Sequence, residues 1–164
     1  MSIALSMHVG VHGKQLLRTW EGLKTSSYLD SGGVPTIGIG HALTRSERTS
    51  GKIILGKEPC AYRDGLTEAQ CWTLLEQDMA SAEDTVNTAV TVSLTQHQFD
   101  ALVSFCFNVG IGAFLASTLL RLLNQGQYVD VPAQLQRWNR DNGRIVQGLT
   151  NRRAQEIVLW NRLV

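Results

Sequence analysis

From Thr67 onward the apolar residues of this chain fall on one helical face. Trp72, Leu75, Met79, Ala82 and Val86 recur at three- and four-residue steps, helical spacing sustained over about five turns. Thr67 and Gln70 have the form of a capping box ahead of them, the hydroxyl meeting free backbone N–H groups and the amide reaching back. Such a helix, read over residues 67–88, divides everything else into a part before it and a part after it. Before it, "SSYLD" and "VPTIGIG" flank Gly32-Gly33, a hairpin signature rich in β-branched residues on the returning strand. A short helix with Leu16, Leu17 and Trp20 precedes the hairpin, over roughly residues 8–20. Residues 42–66 read as polar and irregular, broken by Gly51, Gly56, Pro59 and Gly65.

After the long helix a second T-x-x-Q, Thr95 to Gln98, opens a helix carrying Phe99, Leu102, Val103 and Cys106, which Gly110 and Gly112 stop. Further helices are expected at about 113–124, 130–139 and 150–162, with breaks at Gly126 and Asn142-Gly143. The fold class is therefore α+β and predominantly helical. A small hairpin lobe (13–66), a connecting helix (67–88) and an all-helical lobe (89–164) form one domain over 1–164. A cleft between two lobes is a natural place for an extended ligand.

The 164 residues suffice for a real core, and a net charge of +1 provides no field for nucleic acid. The uncharged run from Ala101 to Leu120 is interrupted by Asn108, Gly110 and Gly112, which suits packed helices and not a membrane span. The opening MSIALSMHVG lacks a positive n-region, so neither a secretory signal nor stable membrane insertion is expected from it. Cys60, Cys71 and Cys106 cannot all pair within one chain; they read as reduced thiols made in a cytoplasm, with Cys106 packed among apolar neighbours.

The stretch "TWEGLKTSSYLDSGGVPTIGIGH" holds two carboxylates, Glu21 and Asp30, in surroundings poor in other charge. Glu21 follows Trp20 at a helix end, where an aromatic neighbour and poor hydration favour the neutral acid. Asp30 sits beside Ser31 and two glycines, a wetter place that keeps it ionised. Two carboxyls driven apart in this way suit glycoside hydrolysis, one as acid and one as base or stabiliser. The Thr36 hydroxyl on the returning strand could help Asp30 hold a water. A solvated helix-end Glu and a turn Asp are the competing account.

These residues resemble the phage-type lysozymes, or endolysins, of glycoside hydrolase family 24. The family pattern is E, eight residues, D, five residues, T, then I-G-x-G-H; here it is Glu21, Asp30, Thr36 and "TIGIGH". "FNVGIGAF" from Phe107, "STLLRLLNQG" from Ser117 and "GLTNRRAQEIVLW" from Gly148 extend the likeness almost to the end of the chain. The resemblance implies a lysozyme-like two-lobe fold cutting peptidoglycan between N-acetylmuramic acid and N-acetylglucosamine. Glu21 would be the general acid, and Asp30 with Thr36 would handle the attacking water. Inversion would follow, with carboxyls roughly 6.5–9.5 Å apart. His41 would pair with Asp78, and Phe107, Asn108 and Trp138 would line the sugar cleft. No metal or other cofactor is implied. A monomer is expected, made in the host cytoplasm and reaching the periplasmic wall through a separate holin-type pore.

Other signals have plainer readings. His8 and His12 stand four apart, but no third ligand accompanies them and "VGV" is poor helix material. Asn108 could simply cap its helix, and Trp138 could stack on a sugar or close the core. The last helix, with Arg152, Arg153 and Arg162, reads as packed on the core with a solvated basic edge, Glu156 being available for pairing. A lytic transglycosylase would need the glutamate without a partner carboxylate. A silent glycan-binding fold would have lost one of the pair.

Overall fold

The computed structural model describes residues 6–163. The first five residues of the opening stretch read above, and Val164, lie outside them. Among the described residues the fold is α+β and mostly helical, with three small antiparallel sheets. The chain divides into two compact units, one of residues 17–80 and one formed by the N-terminal residues through Leu16 with residues from Ser81 onward.

Helix α1 (Val11–Glu21) runs into the first of these units and ends on the glutamate. Gly22 follows at φ 70° and its N–H donates to Arg18 O at 2.9 Å, so the helix closes on a left-handed glycine. Strands β1 (Lys24–Leu29), β2 (Pro35–Gly38) and β3 (His41–Ala42) form a sheet in that order, with β2 in the centre. The Gly32-Gly33 turn is where the spacing placed it. Residues 42–66 are more regular than their polarity suggested. They hold a short helix α2 (Arg45–Ser50) and a hairpin of β4 (Lys52–Leu55) and β5 (Glu58–Ala61). Thr44 and Glu47 make the capping box of α2, a signal present in "TRSE" but masked by the surrounding polar residues.

Helix α3 (Glu68–Ala89) is the long helix, and its Thr67–Gln70 box is formed in both directions, at 2.8 and 3.1 Å. Within residues 17–80, Leu17, Ile37, Ile39, Ile53, Leu74 and Met79 are almost fully buried.

In the other unit, α4 (Gln96–Val109) is buried continuously from Phe99 to Cys106 and packs on the final helix. Its two polar residues in that stretch, Asp100 and Ser104, are both hydrogen-bonded, as burial requires. The single helix expected at 113–124 is two, α5 (Ile111–Leu115) and α6 (Thr118–Asn124). Ser117 breaks it: its hydroxyl donates to Phe114 O at 2.7 Å and accepts Leu120 N–H at 3.1 Å, capping α6. Helix α7 (Val131–Gln136) stops short of Trp138. Asn142-Gly143, read as a break, is the turn of a two-residue hairpin, β6 (Arg140–Asp141) with β7 (Arg144–Ile145). Helix α8 (Gln147–Trp160) closes the chain. The N-terminal segment is tied to this unit by buried Asp100, which accepts Gly10 N–H at 2.9 Å and Gly13 N–H at 3.2 Å. This carboxylate caps α1 from outside, where helix N–H groups and the dipole favour negative charge.

Candidate functional site

Glu21 is the last residue of α1, half-buried, with its side chain laid on Gly40. A Cβ at Gly40 would come within 2.8 Å of Glu21 Oε2 and 3.0 Å of its Cβ, and Gly40 also holds φ +73°. Only glycine fits this approach, which accounts for the second glycine of the "GIG" run beside the helix end.

Asp30 follows β1 at the mouth of the hairpin and is exposed. Its Oδ1 accepts the backbone N–H groups of Gly32 and Val34, each at 2.8 Å. The carboxylate thus folds its own turn and is held rigidly by it. Thr36 lies in β2, 3% exposed, and its hydroxyl donates to Val34 O at 2.9 Å. With that proton committed, the oxygen is left as an acceptor. The turn residue Val34 therefore joins Asp30 and Thr36, through its N–H to one and its carbonyl to the other.

His41 opens β3 and bridges two carboxylates. Its Nδ1 lies 2.9 Å from Asp78 Oδ2 on α3, and its Nε2 lies 3.2 Å from Glu47 Oε2 on α2. Burial lowers the imidazole pKa, but hydrogen bonds and charges from Asp78 and Glu47 outweigh it and raise the net value above 6.5. Burial likewise raises Glu47, but the Thr44 N–H and hydroxyl and His41 bring it below 4.5. Glu47 was missed in the sequence because its pairing depends on α2 lying beside β3.

The sign of the linkage follows. A raised His41 pKa stabilises the fold fully below the unfolded value near 6.5, and that contribution is lost as pH rises through the folded value. The lowered Glu47 pKa makes the opposite contribution, lost as pH falls through its folded value. Asp78→Asn is expected to cost about 1–3 kcal/mol at pH 6. The deficit should shrink toward alkaline pH. Denaturant titrations of both proteins at several pH values check this; a deficit independent of pH would show that His41 carries no charge in the pair.

The remaining candidates lie in the other unit. Asn108 Oδ1 accepts Arg153 Nη2–H at 2.8 Å, so this amide is tied to α8. Trp138 is half-buried and stands edge-on to buried Phe105, ring centroids 5.4 Å apart. Asn108 and Trp138 line one pocket with Val109, Arg140, Asp141, Val146 and Leu149; Phe107 does not line it. Trp138 thus closes part of the core and fronts a pocket at once.

Arg152 and Arg153, expected on a solvated edge, are 5% and 1% exposed, and Glu156 is 0% exposed. Glu156 Oε2 lies 2.8 Å from Arg153 Nε, and its Oε1 takes Ser104 Oγ–H at 2.8 Å and Arg153 Nη2–H at 3.0 Å. The guanidinium of Arg153 also lies 5.0 Å from the Phe105 ring centroid. These charges turn inward because each finds a partner there. His8 and His12 diverge: His8 Nδ1 is 3.1 Å from Glu83 Oε2, while the His12 ring packs edge-on to His97 at 5.3 Å.

Comparison with known proteins bears on this arrangement. A family model described as phage lysozyme matches residues 18–156. An endolysin of Bacillus phage PZA is 40% identical over 160 residues, covering 94% of this chain and 55% of its own length. With 54% coverage of a Bacillus phage B103 endolysin as well, the chain spans about half the length of these curated relatives. The solved structure of an endolysin from Escherichia coli O157:H7 phage FAHEc1 superimposes with a TM-score of 0.77 at 32% identity, covering 96% of each chain. The muramidase domain of SpmX from Asticaccaulis excentricus gives 0.74 at 31% identity, covering 95% of this chain and 99% of its own. With the family model spanning both the Glu21–His41 stretch and the buried arginine–glutamate helix, the chain belongs to the phage lysozyme family.

Proposed function

We propose that this chain is a muramidase of the endolysin type, hydrolysing the β-1,4 bond between N-acetylmuramic acid and N-acetylglucosamine in peptidoglycan. Family membership supports the substrate class. The observation that most supports the residue roles is the state of the hairpin: Asp30 is held by two backbone N–H groups beside a threonine whose hydroxyl proton is already engaged. A water donating one proton to the Asp30 carboxylate and one to Thr36 Oγ1 would keep a lone pair directed outward for attack on the anomeric carbon. Glu21 would supply the proton to the departing glycosidic oxygen, completing the division of labour between two carboxyls.

Asn108 and Trp138 are assigned to the glycan, the indole face stacking on a sugar and the amide held toward it by Arg153. Phe107 is kept as an apolar neighbour of that contact. His41 and Asp78 are assigned a positioning role: they anchor β3, and Gly40, which supports Glu21, is the residue just before it. No metal or organic cofactor enters this chemistry. Among the described residues no helix is long and apolar enough to cross a membrane. Release to the wall through a holin-type pore, action as a monomer and host lysis complete the reading. Purified peptidoglycan incubated with the protein should yield new reducing ends; a folded sample that releases none would overturn the assignment.

A further inference from the structure

The strand register brings a fourth side chain to the hairpin site. Tyr28 in β1 pairs directly with Thr36 in β2, so both side chains leave the sheet on one face. The ladder continues beyond the strand end, with Asp30 N–H donating to Val34 O at 3.0 Å. Asp30, two residues past Tyr28, returns to that same face.

Neither Thr36 nor Asp30 offers a proton on this face. Thr36 has given its proton to Val34, and the Asp30 carboxyl is an acceptor of two backbone N–H groups. With the Lys24 ammonium engaged over the ring, a ligand oxygen arriving there would find a neutral donor in the phenol O–H of Tyr28. The ring is well placed for this. It is half-buried, and Lys24 Nζ stands 3.9 Å from its centroid. A cation on the ring face draws on its electrons and strengthens the O–H as a donor. Burial, and then the Glu21 and Asp30 charges, raise the phenol above its ordinary value of 10.0, so it keeps its proton at neutral pH.

The geometry points to Tyr28 as a substrate-positioning residue, its phenol O–H donating to a hydroxyl or acetamido oxygen of the sugar at the bond that is cut. The inference rests on the muramidase reading and adds a contact that Glu21, Asp30 and Thr36 do not provide. Lys24 serves it indirectly, by polarising the ring.

Tyr28→Phe keeps the ring, its packing and its contact with Lys24, and removes only the hydroxyl. Its thermal midpoint should match wild type, while kcat/KM on purified peptidoglycan falls about tenfold, the worth of one neutral hydrogen bond. Binding of a soluble N-acetylglucosamine oligomer should weaken in step. Lys24→Met provides the second arm: it should lower kcat/KM severalfold in the wild-type background and have no effect when Tyr28 is already Phe. A kcat/KM for Tyr28→Phe within twofold of wild type overturns the proposal, as does an equal Lys24→Met effect in both backgrounds. Glu21→Gln run beside them separates the failures. An inactive Glu21→Gln with an unaffected Tyr28→Phe removes Tyr28 alone; an active Glu21→Gln removes the reading beneath it.

Discussion

Glu21→Gln is expected to lower cleavage of purified peptidoglycan by about 10²–10⁴-fold, the range that a positioned general acid contributes. The amide keeps the shape of the side chain against Gly40, where the closest approach to a Cβ would be only 2.8 Å, so the packing of the helix end is preserved. What is lost is the transferable proton. The thermal midpoint should therefore stay close to that of wild type, and binding to wall fragments should persist. Rate on peptidoglycan, together with circular dichroism of the variant, measures both halves. A folded Glu21→Gln protein that still cuts the wall would move the acid elsewhere. Asp30→Asn tests a different part, because its Oδ1 accepts two backbone N–H groups that an amide oxygen can still accept. That variant separates the charge of Asp30 from its role in shaping the turn.

The second large effect concerns stability. Glu156→Gln should destabilise the protein by about 3–5 kcal/mol, the cost of breaking a buried ion pair from one side. Glu156 is completely buried against Arg153, Arg152 and the Ser104 hydroxyl. Burial pushes its carboxyl up against the pull of both arginines, and burial likewise lowers Arg153. Because desolvation opposes the pairing, the pair is not itself a large source of stability. Removing the carboxylate alone is costly because the Arg153 guanidinium, 1% exposed, would remain charged inside the protein. The triple variant Arg152→Met, Arg153→Met and Glu156→Leu, which leaves none of these three charges stranded, should accordingly be less destabilised than Glu156→Gln. Urea unfolding of the three proteins gives the comparison. A triple variant at least as destabilised as Glu156→Gln would show that stranded charge is not the cause of the loss. Because Arg153 also holds Asn108 and lies against Phe105, on which Trp138 packs, the single variant should disturb the pocket those residues line.

The long helix was legible because its signals are local. The capping boxes at Thr67 and Thr95 and the apolar spacing from Trp72 to Val86 need no knowledge of what packs against them. The hairpin around Gly32-Gly33 was legible for the same reason. Boundaries were lost where a single residue decides them. Ser117 reads as one polar residue in an apolar run, yet its hydroxyl ends one helix and caps another. Asn142-Gly143 carries the same letters whether it separates two helices or turns a two-residue hairpin.

Candidate site residues divide along the same line. Glu21, Asp30 and Thr36 could be singled out because they lie within one short stretch. Glu47 could not, since its meeting with His41 requires the tertiary fold, and Tyr28 emerges only once the register places it opposite Thr36. The inward turn of Arg152 and Arg153 was illegible for a further reason. Charge on a helix normally marks the solvated face, and only a carboxylate at the same depth reverses that preference.

The mass of the sugar end left on soluble products from purified peptidoglycan tests the central claim most directly. Hydrolysis by a water held at Asp30 and Thr36 predicts muropeptides with an intact reducing sugar. Products lighter by one water would mean that an anhydro ring closed in place of water attack, which would contradict the roles given to Asp30 and Thr36.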